Sequence, residues 1–130
     1  MIRRAFAIIL VLHGLIHLIG FVVPWRFATL DGFPYTTSAL WGRLELGATA
    51  AQVLGLVWLG QAVAFVVAGV GVWRGSAWAP ALAAAAALGS LVVCALGSPG
   101  AAAGLVVNIV ILIVVGPGRA RVLGRPSVER

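Results

Sequence analysis

His13 and His17 are the only histidines in the chain, and they stand four residues apart inside the apolar run LVLHGLIHLIGF, residues 10–21. On a helix that spacing puts them about 40° apart on one face, one turn from each other. A pair so placed can hold a proton, share a hydrogen-bonded partner or co-ligate one zinc or copper ion. It cannot supply the two opposite axial ligands of a haem, because both rings project from the same side. Carboxylate chemistry is poorly provided for, since Asp31, Glu45 and Glu129 are the only acids. The single cysteine, Cys94, rules out an internal disulfide and a multi-cysteine metal centre within one chain. No catalytic residue, metal or cofactor is assigned on this basis.

The remaining polar residues in the apolar runs are Gln61, Ser90 and Asn108. Each can be ranked by depth from the end of its run that carries arginines. His13 and Asn108 both fall roughly 12 Å deep, and His17, Gln61 and Ser90 roughly 18 Å, at 1.5 Å per residue. A polar group at such depth is costly unless partnered. The expectation is therefore an inward-facing cluster of His13, His17, Gln61, Ser90 and Asn108, with both histidines largely neutral and bonded to Asn108, Gln61 or each other. Gly100, Gly104 and Asn108 make one stripe, and Ala86, Ser90 and Cys94 a second; small residues of this kind let helices approach closely.

The elements that must position these residues follow from composition. The chain has 130 residues, 62% of them hydrophobic and 9% charged, with a mean hydropathy of +1.13. That leaves too little polar surface for a soluble domain and points to lipid as the main solvent. A net charge of +6 without a basic patch interleaved with aromatics excludes a nucleic-acid partner. Crossing the hydrocarbon takes about 20 apolar residues. Four spans are expected, over residues 5–23, 50–72, 80–96 and 99–115. Pro24 closes the first. Thr49 and Gln52 form a capping-box pattern at the second, Pro80 opens the third, and Ser98-Pro99 opens the fourth. The fold class is thus all-α: one integral membrane domain over 1–130, an antiparallel four-helix transmembrane bundle with a long outer loop, 24–48, between helices 1 and 2. A cleaved leader is not expected: the first apolar run is too long, and Arg26 spoils the candidate cleavage site before Thr29.

Arginines set the direction. Arg3, Arg4, Arg74, Arg119, Arg121, Arg125 and Arg130 fall on one side; Arg26 and Arg43 fall on the other. This asymmetry puts both termini in the cytoplasm and the protein in the inner (plasma) membrane. The basic tail, 117–130, is expected to lie on anionic inner-leaflet lipid through Arg119, Arg121 and Arg125. The outer loop holds Arg26, Asp31, Tyr35, Arg43 and Glu45. One reading makes it an interfacial cover that pairs these charges; the other makes it a lid over an outward pocket containing His17.

The segments HGLIHLIGF and PYTTSALWGRLELG, together with an asparagine late in the fourth span, resemble a family of small four-span actinobacterial membrane proteins. The resemblance covers nearly the whole chain and implies the architecture but no activity. The layout is also similar to that of small multidrug transporters, whose first span carries a glutamate; here that span carries histidines and no acid. The functional expectation is a structural or accessory membrane subunit, self-associating or bound to a larger complex. A small-solute or proton-coupled transporter or channel subunit using His13 and His17 is the alternative, and a metal- or haem-binding redox protein is the second.

Overall fold

The computed structural model describes residues 1–116. The tail at 117–130, with Arg119, Arg121 and Arg125, lies outside the described residues. Of the described residues 68% are helical. The elements are α1 (Ile2–Ile16), α2 (Ile19–Val22), β1 (Ser38–Ala39), β2 (Leu44–Glu45), α3 (Gly47–Arg74), α4 (Ala79–Leu96) and α5 (Ala102–Val115). With α1 and α2 taken as one run, Ile2–Val22, three helices are long and apolar enough to cross a membrane, and α5 is a shorter apolar helix.

Helix boundaries differ from the sequence expectation at three places, each for a local reason. The first run is interrupted at His17 and Leu18, where the backbone tightens: His17 N–H bonds Gly14 O and Leu18 N–H bonds Leu15 O, both at 3.1 Å. These three-residue spacings are the tighter 3₁₀ pattern. The second helix starts at Gly47, ahead of the expected Thr49–Gln52 box, and its N-cap residue, Leu46, makes no side-chain cap. Instead the Glu45 carboxylate accepts from Gly47 N–H at 3.2 Å, and the Gln52 carbonyl accepts from Trp25 Nε1 at 3.1 Å. The last helix starts at Ala102, three residues after the expected Pro99. Ser98 does not cap it, because its hydroxyl turns back to donate to Cys94 O at 2.8 Å. Pro80 stands in the first turn of α4, where its missing N–H costs nothing.

Neighbouring helices meet where side chains are smallest. A Cβ added at Gly14 would stand 2.9 Å from Phe65 Cβ and Ala62 O, and one at Gly20 would overlap the Trp58 ring. One at Gly69 would stand 2.9 Å from Ala7 O. Contacts therefore descend α3 (69, 62–65, 58) as they ascend α1 (7, 14) and α2 (20). The same inversion relates α3 to α4, through Gly71 on Ala79 and Gln61 on Gly89, and α4 to α5, through Cys94 on Gly104 and Ser90 on Asn108. Between α1 and α5 the His13 and Asn108 side chains are hydrogen-bonded.

The interior divides into two layers. Phe6, Leu10, Phe65, Ala68, Val72, Ala79, Ala83, Ala86, Ala87, Ile111 and Val115 form one apolar cluster. It draws on the start of α1, the end of α3, the start of α4 and the end of α5, so it fills the half of the molecule nearest Arg74. The other half, nearest the loop, buries His13, His17, Ser90, Ser98 and Asn108.

The loop between α2 and α3 is partly built. β1 and β2 pair antiparallel, with Ser38 opposite Glu45 and Ala39 opposite Leu44. Leu40 and Trp41, at the turn, take φ of 51° and 57°. This left-handed backbone costs about 1–2 kcal/mol per non-glycine residue. It is offset because the turn docks: Leu40 N–H bonds Leu96 O at 3.0 Å, and Trp41 N–H bonds Ser98 O at 2.9 Å.

Candidate functional site

The buried polar layer begins with the interruption of α1. Because His17 N–H turns to Gly14 O, its imidazole takes over the carbonyl that a regular helix would have given to that N–H. His17 Nδ1 donates to His13 O at 2.8 Å. A carbonyl can only accept, so the proton on His17 is fixed at Nδ1. A neutral His17 then has Nε2 as an acceptor, and Ser90 Oγ lies 2.6 Å from it. The Ser90 hydroxyl has one proton and gives it there. Its oxygen accepts from Asn108 Nδ2 at 2.7 Å. The remaining end of that amide, Oδ1, accepts from His13 Nε2 at 3.1 Å.

These four bonds close a circuit: His13 to Asn108, Asn108 to Ser90, Ser90 to His17, and His17 back to the His13 carbonyl. Each donor gives once, and the direction is self-consistent. Turning the Asn108 amide over would force Ser90 to donate to it, and His17 would then need protons on both nitrogens. Neutral histidines thus select one amide orientation and two different tautomers, Nε2–H at His13 and Nδ1–H at His17. Cys94 completes the surroundings, with Sγ 3.7 Å from Asn108 Nδ2 and 3.6 Å from Ser90 Oγ. The circuit links α1, α4 and α5.

The long helix α3 contributes rings. Phe65 stands edge-on to His13 at 4.8 Å between centroids and tilted to His17 at 5.2 Å. Trp58 lies 5.1 Å from His17. The two imidazoles are themselves T-shaped at 4.6 Å. His17, Ser90 and Asn108 are each no more than 1% exposed.

Of the five cluster residues expected from depth, the structure brings four together. His13 bonds Asn108 and His17 bonds Ser90, each at its own counted depth, while the Asn108–Ser90 bond joins the two depths. Gln61 stands apart. Its amide nitrogen lies against Gly89 of α4, and its Oε1 is buried without a hydrogen-bond partner among the described residues. Depth says nothing about direction around a helix axis, and the face of α3 turned to the histidines is Trp58–Ala62–Phe65. Those two aromatic neighbours escaped the sequence reading, although their spacing with Ala62 and Gly69 marks one helix face. Cys94 lay on a recognised stripe, but its contact with Asn108 was not legible.

The outer-loop candidates do not gather into a site. Arg26 lays its guanidinium over the Tyr35 ring at 4.5 Å, and Glu45 serves Gly47 N–H. Among the described residues no ion pair joins Arg26 or Arg43 to Asp31 or Glu45, so the expected charge pairing is replaced by a cation–π contact and a backbone cap. A shallow cleft of about 480 Å³ lies among Val23, Arg26, Leu30, Phe33 and Tyr35. It does not contain His17, which is sealed beneath Trp58 and Phe65. Among the described residues no group of three or more histidine, cysteine or acidic side chains is placed to hold a metal ion.

Comparison with known proteins finds no family model, no curated protein and no solved structure that matches this chain.

Proposed function

We propose that this chain is a small multi-pass integral membrane protein with a structural or accessory role, and that its buried polar layer locks the helices together. Its architecture on this reading is an antiparallel four-helix transmembrane bundle with both termini cytoplasmic. Three long apolar helices support it, as do the inverted contact order between successive helices and the arginine asymmetry. The shorter α5 can span by local thinning of the bilayer.

One observation carries the functional part. The circuit commits both nitrogens of His17, both ends of the Asn108 amide and the Ser90 hydroxyl to protein partners. In lipid, where no water competes, such bonds between helices contribute about 0.6–1.7 kcal/mol each. A transport site needs a ligand position or a path leading out of the cluster, and the hydrogen bonds here run from the His13 ring through Asn108, Ser90 and His17 and end on the His13 backbone carbonyl, which can only accept.

Two experiments test this. Reporter fusions at Arg130 and Gly32 should report opposite sides of the membrane; the same side for both would overturn the topology. Purified protein reconstituted in liposomes should show no proton-coupled uptake that depends on His13. Uptake abolished by His13→Leu with assembly intact would replace the structural reading with the transporter one.

A further inference from the structure

A valley runs along the lipid-facing side of the α1/α3 seam. Its floor is where Ala7 and Gly69 let the two backbones touch. Ile8 and Leu12 form one wall, Val70 and Trp73 the other, and Arg74 stands at one mouth, enclosing about 470 Å³. Ile8, Leu12, Val70 and Trp73 are all exposed. Arg4 reaches over the same mouth, its guanidinium 5.6 Å from the Trp73 ring. From Arg4 to Leu12 the valley extends roughly 12 Å along α1 at 1.5 Å per residue. It therefore starts at the cationic helix ends and leads toward the bilayer middle.

We propose that this valley holds one anionic glycerophospholipid, with its phosphate between Arg74 and Arg4 and an acyl chain lying along the seam. This rests on the membrane reading given above. Two independent features select the occupant. The valley is apolar along its length and points inward from the interface, as a lipid tail does. Its mouth carries two arginines, and Arg74 has no partner among the described residues; Asp31 and Glu45 stand in the loop at the far end of α3, whose 28 residues span about 42 Å. Arginine suits a phosphate because its planar fork can donate two parallel bonds. The Trp73 ring, at the level of the head group, completes an interfacial anchor.

The test is native mass spectrometry of the intact chain from mixed micelles holding equal phosphatidylglycerol and phosphatidylcholine. One phosphatidylglycerol should be retained in preference to phosphatidylcholine. Arg74→Gln and Arg4→Gln should each reduce that preference about fivefold, the weight of about 1 kcal/mol per arginine near an anionic surface. Val70→Trp, which fills the valley from an exposed position, should reduce retention of both lipids. Arg43→Gln, at the opposite end, should leave the preference unchanged. Equal retention of the two lipids, or a preference indifferent to Arg74 and Arg4, would overturn the proposal. Carbonate washing of membranes separates the two possible failures: release of the protein would overturn the membrane reading and the lipid site with it. Retention in the membrane without a lipid preference would overturn the site alone.

Discussion

The two layers of the interior are built on opposite terms. Near Arg74 the helices meet through Ala79, Ala83, Ala87, Ala68 and Val72, all buried, with Phe6, Leu10 and Ile111 filling between them. Nearer the loop they meet through His13, Ser90 and Asn108, also buried but bonded. On the membrane reading proposed above, lipid tails are as apolar as alanine, so the first layer would gain from close packing and little from escaping a solvent. The second would gain from bonds that lipid cannot replace. The apolar layer specifies how close the helices come. The polar layer specifies their rotation and register, because a hydrogen bond lost to a turned helix finds no substitute.

This contrast can be broken from either side. The largest effect is expected in the apolar layer from added volume. Ala83 is fully buried, and Ala83→Leu should destabilise by about 3 kcal/mol, the upper end for overpacking. Reversible unfolding in mixed micelles reads this directly. Next is Asn108→Asp, which keeps size and removes the donor to Ser90 Oγ. On the membrane reading a carboxylate there should cost about 2.5 kcal/mol, the lower end for an acid at the centre of a spanning helix. Asn108→Leu removes the bonds to His13 and Ser90 without burying a charge, and the same unfolding assay should show a loss of about 1–2 kcal/mol. The smallest effect is expected from Ile111→Leu, a volume-conserving change in the apolar layer, at below about 1.5 kcal/mol. The comparison turns on the two near-isosteric changes. Should Asn108→Asp prove as mild as Ile111→Leu, the polar layer is not directional and the contrast fails.

Much of the apolar layer was legible in the sequence, because span length and hydropathy decide it. The run from Pro80 to Leu96 fell within one residue of α4. The polar layer was legible along one coordinate. Counting residues from the helix ends places His13 level with Asn108 and His17 level with Ser90; both pairs are bonded, but so are Asn108 and Ser90, which the count separates. Counting cannot give rotation, so Gln61, at the depth of His17, was grouped with it although it faces Gly89. The 3₁₀ turn at His17 was illegible for another reason. No proline or glycine pair announces it; a side chain makes it tolerable by satisfying the carbonyl that the turn releases. The loop hairpin was hidden as well, since its turn at Leu40–Trp41 carries no residue that favours positive φ at those positions and is held by docking on the end of α4.

The closed circuit among His13, Asn108, Ser90 and His17 is the centre of this account, and nitrogen-15 NMR of histidine-labelled protein in bilayers measures it most directly. At neutral pH the account predicts two neutral imidazoles of unlike tautomer, His13 protonated at Nε2 and His17 at Nδ1. It also predicts that Ser90→Ala releases His17 while His13 keeps its bond to Asn108. Two imidazoles both protonated at Nε2, or either ring doubly protonated at neutral pH, would contradict it.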